Sequence, residues 1–329
     1  MRVLVTGATG FVAGHCIQEL LGYGYQVRST VRDPATARVG HLGGAVEIVG
    51  ARLDSDDGWA AAVDACDVVW HVASPAPKQA PRRADDVIRP AVDGTLRVLR
   101  AAAASGTVRR VVLTSSIDAV RSGQVDVRPR DESDWSVVER SDAYARSKTL
   151  AERAAWDFVA GTSLELVTIN PGLVLGPLHR AEANVSLEVL RLLLAHELPL
   201  VPRLGFAVVD VRDVAAAHRL AMEAPTAAGN RYIVAGENLW LREIADILRS
   251  ELPGYRIPAR PMPYWLMWTV GRFDRTVRLA LPYVDVPALV SSDKARRDLG
   301  WSSRPARDSI VDAARSLIDH GVIPTRTGR

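Results

Sequence analysis

Cysteine and lysine are scarce in this sequence, whose 329 residues include two cysteines and three lysines. Cys16 and Cys66 each lie in an apolar stretch, so a disulfide framework is excluded and a reduced, intracellular protein with two buried thiols is expected. The seven histidines form no His-x-x-x-His pair, and no Cys-x-x-Cys pair is present. The sequence therefore predicts no metal site.

Long hydrophobic runs are absent as well. The apolar stretch 265–270 is far shorter than the roughly 18 residues that a membrane span needs, so no membrane association is expected. The chain passes from Met1 directly into a strand-like segment without the pattern of a cleavable signal. The cytoplasm is accordingly the expected location.

Charge of one sign is not concentrated in any region. The chain has 41 basic and 38 acidic residues, a net charge of +3, spread along its whole length, so no nucleic-acid surface is predicted. Hydrophobic residues make up 48% of the chain and charged residues 24%, which is typical of a globular protein and excludes a disordered one.

The first half of the chain alternates short β-branched runs with longer helical patterns. Strands are predicted at 3–6, 26–31, 46–49, 67–71, 110–114 and 164–169. Helices are predicted at 11–22, 56–65, 84–105 and 141–160. This alternation predicts an α/β protein with a doubly wound parallel sheet, the Rossmann fold.

The second half has shorter elements and proline-rich joints, typical of a smaller α+β lobe. We predict a dinucleotide-binding domain over 1–170 and a mainly substrate-binding lobe over 171–329, from which some segments return to the first domain, the strand at 232–235 among them. Asp213 is expected to cap a helix at 214–222, and a second amphipathic helix is expected at 241–252. Trp265 and Trp268 are interpreted as a core stripe of this lobe.

A glycine-rich turn follows the first strand directly and opens a helix. It comprises Thr6, Gly7, Thr9, Gly10, Phe11 and Val12. Gly7 and Gly10 allow backbone N–H groups to approach a pyrophosphate at the start of the helix. Ala13 stands where a third glycine is usual, and its single methyl group still permits close packing. The context predicts a dinucleotide site.

The second strand ends in Arg32-Asp33, with Arg38 six residues after Arg32. An acidic residue at this point would bind the ribose hydroxyls of NAD, whereas a guanidinium favours the 2′-phosphate of NADP. NADP(H) is therefore preferred over NAD(H) as the predicted cofactor. Asp33 keeps some use of NAD open, and the two arginines could also be ordinary solvated charges.

Tyr144 and Lys148 lie four residues apart in a strongly helical segment and therefore share one face. With three lysines in the chain, a chance Tyr-x-x-x-Lys match is rare. A nearby ammonium and an oxidised nicotinamide would lower the pKa of a phenol that must exchange a proton. Ser116, at the end of the fifth strand, is preferred over Ser115 as the hydroxyl that binds a substrate carbonyl, because only one of them can face the pocket. Both could instead cap the turn.

These residues belong to motifs that resemble the extended short-chain dehydrogenase/reductases, and most closely their dihydroflavonol-reductase-like branch of ketone and aldehyde reductases. The motifs are Thr6-Gly-Ala-Thr-Gly-Phe-Val, Thr30-Val-Arg-Asp-Pro, His71-Val-Ala-Ser-Pro, Leu113-Thr-Ser-Ser, Tyr144-x-x-x-Lys148, Asn170-Pro-Gly-Leu-Val-Leu-Gly-Pro, Val209-Asp-Val-Arg-Asp-Val-Ala and Ser292-Asp-Lys-Ala-Arg-Arg-Asp-Leu-Gly-Trp. The resemblance covers nearly the whole chain.

The resemblance implies that Tyr144 is the general acid, that Lys148 binds the nicotinamide ribose and that Ser116 polarises the carbonyl group. It also implies a wider cofactor site. Besides the glycine turn, the two arginines and the catalytic pair, that site comprises Leu53, Ala73, Ser74, Thr114, Pro171, Gly172, Leu173 and Val174.

Three positions depart from the family's patterns. Arg52-Leu53 stands where an Asp-Leu pair usually meets the adenine, with Asp54 one place later. Val120-Arg121-Ser122 replaces a segment that carries an Asn in plant dihydroflavonol reductases, and the signature of cinnamoyl-CoA reductases is missing before Lys148. A flavonoid or CoA-thioester substrate is therefore not predicted.

The sequence thus predicts an NADPH-dependent carbonyl reductase, reversible as an alcohol dehydrogenase, for a small or medium apolar ketone or aldehyde. A nucleotide-sugar epimerase or dehydratase that uses NAD, and a non-catalytic NADP sensor, are the alternatives. Candidates for the pocket wall are Asp118, Leu178, His179, Val208 and Tyr264, each of which could equally be a packing or surface residue. A homodimer through the helices at 84–105 and 141–160 is possible.

Overall fold

A computed structural model describes residues 1–75, 83–181 and 186–324. The strands are β1 (Arg2–Val5), β2 (Gln26–Val31), β3 (Val46–Gly50), β4 (Val68–His71), β5 (Arg110–Thr114), β6 (Glu165–Pro171), β7 (Leu173–Leu175), β8 (Gly205–Asp210), β9 (Asn230–Val234) and β10 (Asn238–Trp240). The α-helices are α1 (Phe11–Gly22), α2 (Trp59–Val63), α3 (Asp85–Ala104), α4 (Ala143–Val159), α5 (Glu188–Leu194), α6 (Val211–Glu223), α7 (Leu241–Glu251), α8 (Tyr264–Val270), α9 (Arg275–Ala280), α10 (Asp293–Leu299) and α11 (Ala306–Asp319).

Seven strands form one parallel sheet in the order β3-β2-β1-β4-β5-β6-β9. The central strands β4 and β5 are buried over almost their whole length, as expected when helices cover both faces of a parallel sheet. This arrangement confirms the predicted doubly wound fold. The seventh strand, β9, comes from the second half of the chain and pairs with β6.

Alternate residues of the strands point to opposite faces of the seven-stranded sheet and contribute to two separate cores. Val3 and Val5 point to the side covered by α1 and α6, where Ile17 and Val214 pack against them. Leu4 points to the opposite side and belongs to the core that includes Leu99 of α3 and Ala155 of α4. Cys16 and Cys66 are fully buried, which confirms the interpretation of two core thiols.

A third core, the lobe core, lies in the lobe formed by the later segments. There β7 pairs in parallel with β8, and β10 pairs with β8 antiparallel. Leucines and isoleucines of α5, α7 and α11 fill the space between them, including Leu190, Leu193, Ile244, Leu248 and Ile310. No helix among the described residues is long and apolar enough to cross a membrane.

The expected helix cap at Asp213 is wrong. Asp210 caps α6 instead, accepting a 2.8 Å hydrogen bond from the backbone amide of Arg212, and the helix begins at Val211. The carboxylate of Asp213 turns away to accept a 2.6 Å hydrogen bond from the amide of Arg304. Asp213 lies within the first turn of α6, and its partner is 91 residues distant in sequence.

The interpretation of Trp265 and Trp268 as a core stripe is also wrong. Their exposures are 67% and 48%, and of the residues in the short helix α8 Met267 is the buried one. The Trp268 ring lies beneath the Arg272 guanidinium, 5.3 Å from its centroid. A two-turn helix on the surface buries one narrow face, so adjacent tryptophans remain in solvent.

Candidate active site

The glycine turn after β1 presses against the segment that follows β4. Gly7 has a φ of +82°, and a Cβ atom added there would lie 3.0 Å from the Cβ of Ala73. Gly10, at the start of α1, provides no side-chain cap, so the first amides of this twelve-residue helix have no side-chain partner. Close backbone approach and uncapped amides are the features that a pyrophosphate requires, so the turn fits a dinucleotide.

Thr6 holds this turn to the end of β4. Its Oγ1 accepts hydrogen bonds from the amides of Val72 (3.0 Å) and Ala73 (2.9 Å), which occupy both lone pairs. The hydroxyl proton is then donated to Nδ1 of His71, 3.0 Å away. His71 is therefore neutral with its proton on Nε2, and burial lowers its pKa to about 3. The sequence indicated His71 only as part of a motif.

Arg32 and Arg38 are both exposed beside the end of β2. The carboxylate of Asp33 is engaged by its own turn, accepting from the amide of Ala35 (3.0 Å) and from Thr36 Oγ1 (2.9 Å). Arg180, which the sequence did not single out, donates to the backbone oxygens of Arg38 (2.9 Å) and Thr9 (2.6 Å). It thereby joins the loop that carries Arg38 to the glycine turn and adds a third guanidinium there.

Arg52 and Asp54 form an exposed ion pair with a 2.8 Å separation, so that carboxylate already has a partner. Between them, Leu53 packs against α3, where a Cβ atom on Gly94 would lie 3.0 Å from the Leu53 Cβ. The backbone oxygen of Leu53 accepts a hydrogen bond from Arg97. Leu53 is thus held firmly against α3.

The remaining predicted cofactor residues lie at the carboxyl ends of neighbouring strands. Thr114, however, directs its hydroxyl to Nε2 of His218 at 2.7 Å. Gly172 approaches β8 so closely that an added Cβ atom would lie 2.1 Å from the Ala207 oxygen. Pro171 ends β6, Leu173 and Val174 begin β7, Ala73 and Ser74 follow β4, and Phe11 and Val12 begin α1.

The predicted catalytic residues come together at the end of β5 and the start of α4. Asp142 caps α4, accepting from the amides of Tyr144 (2.8 Å) and Ala145 (3.0 Å). Lys148 places its Nζ 6.0 Å from the centroid of the Tyr144 ring, as one helix face requires. Ser116 lies near enough to Tyr144 for its hydroxyl to lower the pKa of the phenol. Tyr144 is 41% exposed, so part of its side chain is accessible from solvent.

In the protein alone, the pKa of Tyr144 is raised rather than lowered. Although the residue as a whole is 41% exposed, burial around its hydroxyl is the largest cause, and the charge of Asp118 adds to it, whereas the Ser116 side chain opposes both. Burial lowers the pKa of Lys148 to about 8. The phenol therefore remains protonated at neutral pH, and the amine is charged over most of the range below pH 8.

Behind this group, Glu152 lies one helical turn beyond Lys148 and is 1% exposed. Its carboxylate accepts hydrogen bonds from Ser115, from Thr168 (3.0 Å) and from Asn170 (2.8 Å). Arg231 completes the set with an ion pair at 2.6 Å. The two serines thus face different ways: Ser115 donates to Glu152, whereas Ser116 donates to Asp118.

In front of the group, Asp118 follows Ser116 in a single 3₁₀ turn. Ser116 caps this turn by accepting from the Asp118 amide at 3.1 Å. The Asp118 carboxylate accepts from Ser116 and Ser122, both at 3.3 Å, and lies 3.9 Å from a nitrogen of Arg121. The other proposed wall residues lie elsewhere: Leu178 and Val208 in the lobe core, His179 in ring contact with His15, and Tyr264 on the surface.

Comparison with known proteins agrees with this geometry. The model of the NAD dependent epimerase/dehydratase family matches residues 3–236. Cinnamoyl-CoA reductase 2 of Arabidopsis thaliana is 35% identical over 340 residues, covering 98% of this chain and 94% of the relative. Dihydroflavonol 4-reductase of Zea mays is 34% identical over 342 residues, covering 99% and 90%.

A solved structure is similar over its whole length. The yeast methylglyoxal/isovaleraldehyde reductase Gre2, complexed with NADPH, has a TM-score of 0.80 and 27% identity, covering 97% of this chain and 98% of the other. These similarities extend across both lobes and include proteins named as reductases. The chain belongs to the NAD dependent epimerase/dehydratase family, and within it the protein is an oxidoreductase.

Proposed function

We propose that the protein is an NADPH-dependent carbonyl reductase, reversible as an alcohol dehydrogenase, that acts on a small or medium ketone or aldehyde with a largely apolar body. The observation that carries this proposal is the convergence of Ser116, Tyr144 and Lys148 beside a glycine turn that fits a dinucleotide. The reduced nicotinamide, when bound, supplies a hydride to the carbonyl carbon.

Ser116 and Tyr144 supply the hydrogen bonds and the proton that the carbonyl oxygen needs. Ser116 Oγ accepts from the Asp118 amide, while its own proton rests on a long 3.3 Å contact with the Asp118 carboxylate. A carbonyl oxygen can replace that weak contact. Tyr144, protonated because its pKa is raised, gives its proton to the same oxygen as negative charge develops there.

Lys148 stabilises the phenolate that remains after this proton transfer. Its ammonium lies on the same helix face as Tyr144, and its pKa of about 8 keeps it mostly charged at neutral pH. Glu152 and Asp118 both favour the charged form of Lys148. A fixed cation close to the phenol lowers the free energy of the deprotonated state.

The preference for NADP(H) over NAD(H) is part of the proposal. Arg32 and Arg38 are exposed at the end of β2, whereas the Asp33 carboxylate that could bind a ribose hydroxyl is held by its own turn. Arg180 adds a guanidinium next to Arg38. Guanidinium groups bind phosphate through paired hydrogen bonds, which supports a site for the 2′-phosphate.

Oxidation of NADPH and NADH, followed separately by absorbance against aryl ketones, diketones, α-keto esters and aldehydes, tests this function. We expect turnover with NADPH for at least one class and a strong preference over NADH that Arg32→Asp weakens. Binding of NADPH without turnover of any carbonyl compound would contradict the reductase and favour an epimerase or a sensor. The homodimer and the cytoplasmic location are likewise proposals, and a molar mass measured in solution tests the former.

A further inference from the structure

A cavity of about 290 Å³ lies between the segments 121–130 and 282–289. Its walls include the apolar side chains of Val125, Val127, Val286 and Leu289. This volume is near the lower limit for sites that bind small molecules. The cavity can therefore hold a short apolar chain.

The cavity lies next to the proposed catalytic group. Arg121, which lines it, is 3.9 Å from the Asp118 carboxylate, and that same carboxylate is 3.3 Å from Ser116 Oγ. Asp142, which also lines it, caps the helix at the amide of Tyr144. Arg121 and Asp118 therefore connect the cavity to the serine at which the carbonyl oxygen would bind.

Arg121 presents a guanidinium that the protein leaves poorly satisfied. Its side chain is only 13% exposed, and the Asp118 carboxylate at 3.9 Å is beyond hydrogen-bond distance. Within residues 1–75, 83–181 and 186–324, no hydrogen bond is formed by its five N–H donors. No nitrogen of Arg121 is among the buried side-chain atoms that lack a partner, so its guanidinium reaches solvent and is accessible to a ligand. A ligand carboxylate would accept two parallel hydrogen bonds from it.

Arg128, Arg130 and Asp142 on the cavity wall have partners, whereas Arg140, also on the wall, is exposed and forms no ion pair within the described residues. Arg128 donates to Asp134 at 3.0 Å, and Arg130 donates to Asp126 and to Asp134. The Asp142 carboxylate accepts from the hydroxyl of Tyr283 as well as from the amides of α4. In each arginine–aspartate pair the two charges neutralise each other, so these groups are not available to bind an anionic ligand.

We propose that Arg121 binds a carboxylate of the substrate, and that the enzyme reduces oxo acids in which a short apolar chain joins the carbonyl to the carboxylate. The inference rests on the proposed function and deepens it. The carbonyl lies at Ser116 and Tyr144, the chain contacts the valines of the cavity, and the carboxylate accepts from the Arg121 guanidinium. The body of the substrate is apolar, as the sequence predicts, but one end is anionic.

Asp118 is compatible with this assignment. Burial raises the pKa of its carboxyl group, which favours the protonated form. Its two serine contacts at 3.3 Å are long enough to exchange for contacts with substrate.

The first test compares 3-benzoylpropionate with its methyl ester as substrates. We expect wild type to favour the acid in kcat/KM, and Arg121→Gln to reduce this acid-to-ester ratio by about 10- to 100-fold, the range for a hydrogen bond to a charged group. Arg121→Lys, which keeps the charge but not the fork, should lose less. Arg109→Gln is the control. Arg109 also has a carboxylate at 3.9 Å, but it is exposed and directly precedes β5, at the amino end of the strand, whereas Ser116 follows the carboxyl end.

The second test measures binding without turnover. Calorimetric titration of 4-phenylbutyrate and 4-phenylbutyramide should show tighter binding of the acid, lost in Arg121→Gln and kept in Arg109→Gln. Equal acid-to-ester ratios in wild type and Arg121→Gln, or equal binding of acid and amide, would overturn the role of Arg121 even if neutral ketones are reduced. If no carbonyl compound is reduced, the proposed function fails, and the titration still decides whether Arg121 binds carboxylates.

Discussion

Two carboxylates lie on opposite sides of the proposed catalytic group, and the protein treats them differently. Glu152, behind it, is fully buried and has short contacts with Thr168, Asn170 and Arg231. Asp118, in front, has two hydrogen bonds of 3.3 Å and a cation no closer than 3.9 Å. A carboxylate with short contacts to several partners stabilises the fold, whereas a carboxylate with only long contacts can exchange them for contacts with a ligand.

The buried contacts of Glu152 also hold the backbone of Ser116 in place. Asn170, which donates to Glu152 at 2.8 Å, donates at 3.1 Å to the backbone oxygen of Ser116. Arg231 is held in turn by the backbone oxygens of Glu132 and Asp134 at 2.9 and 2.8 Å. The serine that would meet the substrate is therefore anchored through its backbone, while its hydroxyl is left to exchange partners.

The largest expected effect comes from breaking the inner pair. Glu152→Ala leaves the Arg231 charge buried without its partner and should lower the free energy of unfolding by about 3–5 kcal/mol. Denaturant titration of both proteins measures this change. Glu165→Ala is the matched control: Glu165 pairs with Arg110 at 2.7 Å but is 46% exposed, and Arg110 keeps three backbone acceptors.

That control should cost about 1 kcal/mol or less. Equal losses for the two glutamate variants would contradict the distinction between a buried structural pair and a surface pair.

A smaller effect on stability, but a displaced pH profile, is expected from Asp118→Asn. In wild type, kcat/KM for NADPH should fall above about pH 8 as Lys148 loses its proton. The charge of Asp118 raises the pKa of Lys148, so its removal should move this alkaline limb to lower pH. His71, with a pKa of about 3, should not contribute an acid limb near neutrality. An alkaline limb that stays in place would show that Asp118 carries no charge next to Lys148.

The smallest effect extends the same rule to apolar groups. Trp265→Ala should change the free energy of unfolding by less than about 0.5 kcal/mol, because the ring is mostly in solvent. Trp59→Ala, at a tryptophan that is 2% exposed, should cost about 3–5 kcal/mol. Thermal unfolding of the two variants decides the matter. A large loss at Trp265 would restore its place in a core.

The sequence predicts what short-range patterns determine. β-Branched runs and helical periodicity locate the sheet, and the i,i+4 relation places Tyr144 and Lys148 on one face. The glycine turn is recognisable because its backbone conformation requires glycine at Gly7. Each of these features depends on residues a few positions apart.

Features that depend on contacts between residues distant in the sequence could not be predicted. Glu152 meets Arg231 from 79 residues away, and Arg180 reaches Thr9 from 171 residues away. No local sequence pattern indicates either pair. The cap of α6 and the exposure of Trp265 were predicted wrongly for the same reason: burial and partners are decided by packing, not by residue type.

Transfer of label from NADPH dideuterated at C4 tests the central claim most directly. After incubation with a carbonyl substrate, the account predicts an alcohol that carries one deuterium on the carbinol carbon. Tyr144→Phe should bind NADPH but form this alcohol about 10²- to 10⁴-fold more slowly, the usual contribution of a general acid. An unlabelled alcohol, or undiminished formation of the labelled alcohol by Tyr144→Phe, would contradict the account.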